Sequence, residues 1–446
     1  MNNTLDTYFF LGIGGIGMSA LAKYYALKGF CVVGYDLSES DITKSLESLG
    51  IRVFYEDNST LLPQEFNSPS VTKVIYTPAV PQSSDWFSYF KSNGFKMIKR
   101  AVLLGESTEL SFCYAVAGTH GKTTTSAMLA YLLDASGVNI TAFLGGIAHN
   151  FGSNLLLKDT EITVVEADEF DRSFLNLSPN VACITSTDAD HLDIYKSAKA
   201  LEDSFYSFAG LVPLKENLFV HEDLAIPGIS YGERESSDYY ISDLKVVSGQ
   251  TLANIHTPRE TFKAVLFPMP GKHNVLNALV AFAMAYSQGV PAHDLINALS
   301  GFKGIARRFS YEINRPDRVY VDDYAHHPTA INAIYQTLRA QYPNKKITAI
   351  FQPHLYSRTQ DFAHEFAASL SQFDSLFLLD IYPAREQAIE GVTSEWLLGL
   401  ISSKIKSKLS VAEVLKSLEE NPPEVLVSLG AGDIGKQVVH FKEALL

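Results

Sequence analysis

Short apolar segments alternate with amphipathic ones at the start of the chain, and this alternation predicts strands and helices in turn. Residues 8–11, 30–35 and 74–76 are apolar runs of strand length, and 18–28 has the spacing of a helix. Strands that alternate with helices predict a parallel sheet with helices on its faces. Residues 100–111 are expected to carry the link to the next unit.

The same pattern restarts twice further along the chain, which indicates two more α/β units. The predicted strands of these units are 112–116, 162–165, 181–185, 319–321, 347–351, 375–379 and 425–429. One predicted helix ends near 286, and two others span 361–372 and 411–420. The polar segment 233–260 is expected to form strands and turns. The chain shows no repeats of solenoid period and no low-complexity tract.

Composition limits the class of protein. The 446 residues suggest about three domains, and 46% hydrophobic with 19% charged residues is typical of a globular protein. No apolar run is long enough to cross a bilayer, and the first residues lack a basic region, so we expect a cytoplasmic protein without membrane insertion. A net charge of −13 disfavours nucleic-acid binding.

Three cysteines, Cys31, Cys113 and Cys183, each lie in or beside an apolar run of strand length. This small, odd number predicts buried free thiols rather than a disulfide framework or a metal site.

Residues 117–125, AGTHGKTTT, follow an apolar run and precede an amphipathic one, which is the setting of a phosphate-binding loop. Glycines allow backbone N–H groups to surround phosphate oxygens, Lys122 supplies a positive charge, and Thr123 offers a hydroxyl to Mg²⁺. The loop is a shortened variant, because Val116 stands where the general pattern has glycine. The alternative is an ordinary glycine turn followed by a surface lysine.

A second glycine pattern, GIGGIG at residues 12–17, lies between the first predicted strand and helix. Asp36 stands about 20 residues further on, at the end of the next strand, so the segment predicts a site for a diphosphate. The pattern does not distinguish NAD, FAD and nucleotide sugars. A tight turn that only packs the helix on the strand is the structural alternative.

Acidic residues follow two predicted strands of the central unit, at 166–169 and 188–190. Carboxyl ends of strands are where open α/β sheets bind ligands, and Glu166 is a plausible partner of Thr123 around Mg²⁺. His191 is less expected beside a hard cation, and from the residues alone a structural role is as plausible as a functional one.

The last third carries three polar motifs near predicted strand ends, GIARRF at 304–309, DDYAHHP at 322–328 and FQPHLYSRT at 351–359. The paired arginines suit carboxylate or phosphate recognition, although a solvated basic turn is equally plausible. His326 and His327 lack nearby residues with the spacing of a zinc site.

Taken together, these motifs resemble those of the Mur ligase family over essentially the whole length. The resemblance rests on GIGGIGMSALA, AGTHGKTTT, EADEFDRSFL, DADHLDIY, PGKHNVLNAL, GIARRF, DDYAHHPTAI and FQPHLYSRT in that order. It implies three α/β domains: a Rossmann-like domain for a UDP-linked substrate at 1–105, a central P-loop ATPase-type domain with a parallel or mixed sheet at 106–305, and a C-terminal Rossmann-like domain for nucleotide and amino acid at 306–446. The chain departs from common family residues at Phe170 and Ser186.

The resemblance also implies roles for single residues. Catalytic roles fall to Lys122, Glu166, His191 and Arg308, and the metal site to Thr123, Glu166 and His191. ATP binding falls to Gly118, Thr119, His120, Gly121, Lys122, Thr123, Thr124, His273, Asn274, Asn277, Arg308 and Asp322. Binding of the UDP-linked substrate falls to Gly14, Gly15, Ile16, Gly17, Asp36, His354 and Arg358. Separate duties for Arg307 and Arg308 cannot be assigned from the sequence.

The implied reaction is the ATP- and Mg²⁺-dependent joining of L-alanine to the lactyl carboxylate of UDP-N-acetylmuramate through an acyl phosphate, for peptidoglycan precursor synthesis. The nearest alternative is a ligase that recycles a cell-wall tripeptide onto the same UDP-sugar. An NAD(P)-dependent oxidoreductase would explain the first glycine motif and leave the phosphate loop unexplained, and a regulatory ATP-binding protein is the third alternative. The oligomeric state stays open between a monomer and a weak homodimer.

Overall fold

The computed structural model describes residues 6–188, 192–195, 197–247, 250–384, 386–403 and 405–446. They divide into two compact units. The first runs to Ile241 and adds Ile255–Thr261 and Asn277–Phe302, and the second comprises Ser242–Asn254, Phe262–Leu276 and Lys303–Leu446. Within the described ranges, none of the helices has the length and apolar character needed to cross a lipid bilayer.

The first domain is built on a five-stranded sheet of order β3-β2-β1-β4-β5, in which all neighbours run parallel. Its strands are β1 Thr7–Leu11, β2 Cys31–Tyr35, β3 Arg52–Phe54, β4 Thr72–Tyr76 and β5 Lys96–Lys99. Its helices are α1 Ile16–Leu27, α2 Asp41–Ser48, α3 Asp85–Ser92 and α4 Arg100–Thr108. The predicted parallel sheet is confirmed. The stretch 100–111, expected to carry the link to the next unit, consists mostly of α4 and leads into the strand that begins at Phe112.

Both faces of this sheet are buried, which explains why β1 reads as an unbroken apolar run. On one face, Phe9 packs with Trp86 and Phe90, with ring centroids 4.8 Å apart in each pair. On the other face, a single apolar cluster extends from Phe10 of β1 to residues of the central domain such as Phe143. The first domain and the central domain therefore share a core.

The central domain contains a ten-stranded sheet of order β15-β14-β13-β12-β11-β10-β6-β9-β7-β8. Its strands are β6 Phe112–Ala117, β7 Thr141–Ala148, β8 Ser153–Leu157, β9 Ile162–Glu166, β10 Val181–Ile184, β11 Leu218–His221, β12 Ile229–Gly232, β13 Tyr239–Val247, β14 Gln250–His256 and β15 Thr261–Phe267. Its helices are α5 Lys122–Ala135, α6 Leu192–Tyr195, α7 Ala198–Ala209, α8 Lys272–Ser287 and α9 Ala292–Leu299. The strand-and-turn excursion predicted at 233–260 is confirmed by β13 and β14.

Strand β6 lies between β10 and β9 and runs parallel to both, so the three carboxyl ends meet at one edge of the sheet. In the register, Val116 lies opposite Glu166 and Ala117 lies opposite Ile184. This edge is where an open α/β sheet binds ligands.

A polar contact fixes α1 of the first domain against the β7–β8 hairpin of the central domain. The Asn154 side-chain amide donates to the Ile16 carbonyl oxygen at 2.6 Å and to Ser19 Oγ at 2.9 Å. Its oxygen accepts from Lys23 Nζ at 3.1 Å, and both Asn154 and Lys23 are buried. Burial lowers the pKa of Lys23. The start of α1 is thus held in place by a side chain of the next domain.

The C-terminal domain is built on a six-stranded sheet of order β16-β17-β21-β18-β19-β20. Its strands are β16 Ser310–Asn314, β17 Val319–Asp323, β18 Ile347–Phe351, β19 Ser375–Leu378, β20 Ile405–Lys408 and β21 Val425–Leu429, and β16 alone pairs antiparallel with its neighbour among these described pairings. Its helices are α10 Pro328–Gln341, α11 Tyr356–Asp361, α12 Ala363–Leu370, α13 Ser394–Leu400, α14 Val411–Glu420 and α15 Val438–Ala444. The helix predicted at 361–372 is confirmed by α12, and the short helix α11 that precedes it was not predicted.

The cysteine prediction is correct for two residues and wrong for the third. All three thiols are free, and Cys113 and Cys183 are buried within β6 and β10. Burial raises the pKa of Cys113 to about 12. Cys31 is exposed instead, because it is the first residue of β2, where the strand enters the sheet.

Candidate active site

The glycine motif of the first domain forms the turn between β1 and α1. Gly12 has φ +82°, a conformation that favours glycine, and Gly15 caps the helix. The Gly14 N–H donates to Asp36 Oδ2 at 2.8 Å, so Asp36 braces the turn from the end of β2. The predicted role of these residues in binding a UDP-linked substrate stays a prediction.

The phosphate loop connects β6 to α5, as the sequence predicts. Gly118 has φ +134° and Gly121 has φ +81°. A Cβ at Gly118 would lie 2.0 Å from Thr185 Oγ1, and a Cβ at Gly121 would lie 2.6 Å from Asn277 Oδ1. The loop therefore needs glycine at both positions, and the missing side chains leave a cradle of backbone amides at the start of α5. This cradle fits a triphosphate.

Two residues that the sequence analysis did not select hold this loop. Ser186 Oγ accepts from the His120 N–H at 2.9 Å and lies 2.8 Å from Thr119 Oγ1. Thr185 Oγ1 donates to the Ala117 carbonyl at 3.1 Å and also to the His120 carbonyl. Both residues follow β10, the neighbour of β6, so the strand order explains a contact that the sequence does not show.

Lys122 points back into the loop and pairs with a buried acid. Its Nζ lies 2.7 Å from Glu169 Oε2 and donates to the Gly118 carbonyl at 2.6 Å. The Glu169 side chain is 0% exposed. Burial lowers the pKa of Lys122, but the neighbouring carboxylates Glu169, Asp168 and Glu166 outweigh it and raise that pKa. Glu169 was not among the predicted site residues.

Glu166 ends β9 beside the phosphate loop. Its Oε2 accepts from the Gly145 N–H at 3.1 Å, and a Cβ at Gly145 would lie 2.1 Å from that oxygen. A carboxylate, the Thr123 hydroxyl and phosphate oxygens form the hard oxygen set that Mg²⁺ prefers. His191, predicted as a further metal residue, lies outside the described residues. Among those that are described, no cluster of three or more His, Cys, Asp or Glu side chains could hold a metal by itself.

Helix α8 carries the other residues predicted for ATP. Asn277 lies beside Gly121 of the phosphate loop, as the Cβ distance above shows. Asn274 is buried, and its side-chain amide donates to the Pro270 carbonyl at 2.8 Å, which secures the start of the helix. Burial lowers the pKa of His273 to about 4, so this imidazole is neutral at pH 7.

A cavity of about 800 Å³ lies between the glycine turn of the first domain and the carboxyl end of β9. Its walls include Gly14 and Gly17 on one side and Glu166, Asp168 and Phe170 on the other. Phe170 thus contributes an apolar surface to this cavity. A ligand bound at the glycine turn can extend to the acidic end of β9.

The paired arginines of the C-terminal domain occupy a strained turn and differ in their contacts. Arg307 has φ +63° and Phe309 has φ +47°. Arg307 Nε lies 3.1 Å from Asp322 Oδ2, and Arg307 Nη2 donates to the Gly430 carbonyl at 2.6 Å. The guanidinium carbons of Arg307 and Arg308 lie 5.2 and 5.1 Å from the Tyr324 ring centroid, so the two arginines share this contact. Arg307 thus connects the ends of β17 and β21, which separates it from Arg308.

The two aspartates that end β17 are engaged within the same domain. Asp322 is 1% exposed and accepts from Ser428 Oγ at 2.6 Å in addition to Arg307. Asp323 accepts from the backbone N–H groups of Phe309 and Ala325, each at 2.7 Å. Burial raises the pKa of Asp323 to about 6. These contacts hold the arginine turn, and they do not test the predicted ATP contact of Asp322.

The structure brings His354 and Arg358 close together, and their predicted role in binding the UDP-linked substrate stays a prediction. Arg358 Nη1 lies 3.4 Å from His354 Nδ1, and the His354 ring is stacked 5.7 Å from that of Tyr382. His327 caps α10 by accepting from the Thr329 N–H at 3.4 Å, which gives it a structural role. Zinc is not needed to explain the histidine pair.

Comparison with protein-family models matches three successive parts of the chain. They are described as Mur ligase family, catalytic domain (7–111), Mur ligase middle domain (116–285) and Mur ligase, glutamate ligase domain (307–434). The UDP-N-acetylmuramate–L-alanine ligase of Christiangramia forsetii is 50% identical over 445 residues, which cover 100% of this chain and 98% of the relative. The chain belongs to the Mur ligase family.

Other Mur ligases extend the similarity. The enzyme of the same name from Flavobacterium psychrophilum is 49% identical and covers 99% of each chain. The crystal structure of the UDP-N-acetylmuramate–alanine ligase of Thermotoga maritima has a TM-score of 0.82 at 27% identity, over 99% of this chain and 98% of that one. A murein peptide ligase of Psychrobacter arcticus, at 23% identity and a TM-score of 0.71, shares the fold over 99% and 98% of the two chains. The predicted three-domain α/β fold of a Mur ligase is confirmed.

Proposed function

We propose that this Mur ligase joins L-alanine to the lactyl carboxylate of UDP-N-acetylmuramate, with ATP as phosphoryl donor and Mg²⁺ as cofactor. The name shared by relatives that are 50% and 49% identical over the full length supports this choice of substrates. The domain limits 1–105, 106–305 and 306–446 are proposed with it.

The observation that carries the proposal is the cavity shared by the first and central domains. A UDP group at the glycine turn would leave the sugar and its acid directed towards Glu166, beside the strand that precedes the phosphate loop. A nucleotide in that loop would present its last phosphate at the same edge of the sheet. The acceptor and the donor of the phosphoryl group would then be neighbours, which provides the positioning that this chemistry needs.

The residues divide by the group that each would hold. We assign the UDP diphosphate to the turn Gly14–Gly17 at the start of α1, which Asp36 braces by accepting from the Gly14 N–H. We assign the triphosphate to residues 118–124 and the rest of ATP to α8. Mg²⁺ would be held by Thr123, Glu166 and His191, and it would neutralise charge on the transferred phosphoryl group. Arg308 and Asp322 are proposed as further nucleotide residues, and His354 and Arg358 as residues that bind the UDP-linked substrate.

The proposed reaction has two steps. A lactyl carboxylate oxygen attacks the γ-phosphorus of ATP, the bond to the β-phosphate oxygen breaks, and the products are an acyl phosphate and ADP. The amine of L-alanine then attacks the acyl carbon, loses a proton, and expels inorganic phosphate as the amide forms. Lys122 would stabilise the charge on the phosphate oxygens, since its amino group is already held within the loop by Glu169.

A phosphate-release assay tests the proposal. Wild-type protein with ATP, Mg²⁺ and UDP-N-acetylmuramate should release phosphate when L-alanine is added and much less with glycine or L-serine. The cell-wall tripeptide is the matched competitor, and a higher kcat/KM with tripeptide would reverse the choice between the two ligases. ATP hydrolysis that ignores every amino acid would instead support a regulatory ATP-binding protein.

ATP and UDP-linked sugars are metabolites of the cytoplasm, so the proposed activity also places the protein there. Cell fractionation followed by immunodetection tests that location.

A further inference from the structure

The cavity between the first and central domains is rich in acids, although its proposed ligand is an anion. Among its described wall residues, five carboxylates face only two cations, Lys99 and Arg100; the carboxylates are Asp36, Asp57, Glu166, Asp168 and Asp171. A diphosphate in such a cavity needs positive charge close to its oxygens, since each carboxylate raises its free energy. The source of that charge is the open question.

Several of the acids are already compensated by groups of the protein. Asp57 accepts from Ser84 Oγ at 2.7 Å and from the backbone N–H groups of Asp85 and Trp86. Asp36 accepts from the Gly14 N–H. Lys99 Nζ lies 2.8 Å from Asp171 Oδ2, which is a tight ion pair. Lys99 is therefore committed to an acid.

Arg100 has a different geometry. It is the first residue of α4, and its Nη2 lies 3.4 Å from Asp168 Oδ2, a longer ion pair than that of Lys99. A Cβ at Gly17 would lie 2.8 Å from Arg100 Nη1 and 3.3 Å from Arg100 Cδ. The guanidinium thus occupies the space that glycine leaves free at the second residue of α1.

The two ends of the guanidinium group therefore face different partners. Nη2 faces the acid of the central domain, and Nη1 faces the first turn of α1, where backbone N–H groups have no helical partner. Among the described residues, the structure gives Nη1 no hydrogen-bond partner. The arginine side chain is 21% exposed, so this end can reach a ligand in the cavity.

We propose that Arg100 binds the diphosphate of the UDP-linked substrate through Nη1, while Asp168 orients it through Nη2. This assignment rests on the proposed function and adds a residue that the glycine motif itself does not contain. A guanidinium offers paired, charge-assisted donors that match phosphate oxygens, and it remains charged at any physiological pH. The glycine turn supplies amides without a side-chain cation, and Arg100 supplies the charge.

The experiment measures binding of UDP, which carries the diphosphate without the sugar or its acid. Calorimetry on the full-length protein compares wild type, Arg100→Gln, Arg100→Lys and Lys99→Gln. Arg100→Gln should weaken UDP binding about 10- to 100-fold, the amount expected for lost charge-assisted hydrogen bonds. Arg100→Lys should recover part of that loss, because it restores the charge without the planar group.

Lys99→Gln is the matched control, because it removes an ion pair between the same two domains one residue away. It should weaken UDP binding much less than Arg100→Gln does. Uridine binding, followed by saturation-transfer NMR, should be the same in wild type and Arg100→Gln. Thermal melting of each variant shows whether it is folded. If Arg100→Gln is unfolded, Arg100→Lys still tests the assignment.

Three results would overturn the assignment: unchanged UDP binding in Arg100→Gln, equal losses for UDP and uridine, or a loss confined to UDP-N-acetylmuramate. The last result would indicate that Arg100 binds the lactyl acid rather than the diphosphate. Failure of the wild-type protein to bind UDP would instead contradict the proposed substrate site itself, so the two failures are distinguishable.

Discussion

The glycine turn after β1 and the phosphate loop after β6 share a local architecture and differ in charge. Each leaves the carboxyl end of a buried parallel strand and opens a helix. The first contains no charged side chain within residues 12–17. The second contains Lys122, which is paired with the buried Glu169. Under the proposed function, the first turn holds an anion and the second acts on one.

Backbone amides are sufficient to bind a phosphate that does not react, because they satisfy oxygens whose charge stays constant. A phosphoryl group in transfer needs a charge that is already positioned when the transition state forms. Glu169 provides that positioning in the central domain by holding the Lys122 amino group. At the first turn, the bracing group is Asp36, which accepts from the backbone N–H groups of Gly14 and Ser38.

The largest effect should come from removing the charge of the second turn alone. Lys122→Ala is expected to lower kcat at least about 100-fold, since it removes a charge that stabilises the transition state. UDP binding should be unchanged, because that site belongs to the first turn. ADP formation and UDP calorimetry measure the two quantities, and Lys28→Ala, on an exposed residue after α1, serves as control. Turnover near wild type would remove Lys122 from the reaction.

The second effect compares a buried ion pair with an exposed one. Glu169→Gln leaves a buried lysine without its counter-charge and should destabilise the protein by about 3 kcal/mol. Asp171→Asn breaks the pair with Lys99, whose side chains are 36% and 46% exposed, and should cost less than about 1 kcal/mol. Thermal and urea unfolding measure both variants. Equal losses would mean that Lys122 does not depend on Glu169.

A smaller effect should distinguish the glycines of the two turns. Gly118→Ala forces a side chain to φ +134° and against Thr185, and should cost about 2 kcal/mol of stability. Gly15→Ala places Cβ at an ordinary 3.4 Å from the Gly12 carbonyl, with φ −63°, so its melting temperature should be nearly that of wild type. If the two variants melt together, the cradle of the phosphate loop is less rigid than proposed.

The smallest effect concerns α8, which brings Asn277 to the phosphate loop and begins near His273. The pKa of His273, about 4, lies below its value in the unfolded chain, so the folded protein binds the imidazole proton less tightly. The contribution of His273 to the free energy of unfolding is fully present above pH 6.5 and is lost as the pH falls towards 4.

Since His273 is partly exposed, we expect a loss of about 1 to 2 kcal/mol over that window. The measurement compares unfolding of wild type and His273→Asn from pH 7 to pH 4. The raised pKa of Asp323 acts in the opposite direction over the same window and cancels in the difference. Parallel pH profiles would contradict the lowered pKa of His273.

Features that depend on local sequence were predictable. An apolar run before a glycine motif fixes a strand, a turn and a helix start together, so both glycine turns could be placed from the sequence. The acids after β9 could be placed beside the phosphate loop because parallel strands end at a common edge. The antiparallel β7–β8 hairpin was missed, although Asn150 and Gly152 are typical turn residues between its strands and Gly152 has φ +61°.

Contacts between distant residues could not be read from the sequence. Ser186 lies 66 residues from His120 along the chain, and only the pairing of β10 with β6 brings them together. Glu169 was part of a quoted motif, but nothing in the motif shows that it is buried against Lys122. The contacts of Arg307 could likewise be learned only from the structure, which shows that this arginine pairs with Asp322 and donates to the Gly430 carbonyl.

The Asn154 contact with α1 has a consequence for protein engineering. A chimaera that takes the first domain from a relative and joins it before β6 would keep Asn154 but receive a foreign residue in place of Lys23, which could leave the buried Asn154 side-chain oxygen without its donor. With a junction placed after β8, the residues at positions 23 and 154 would come from the same protein. Parts of this enzyme are therefore best exchanged at a boundary that no sequence comparison marks.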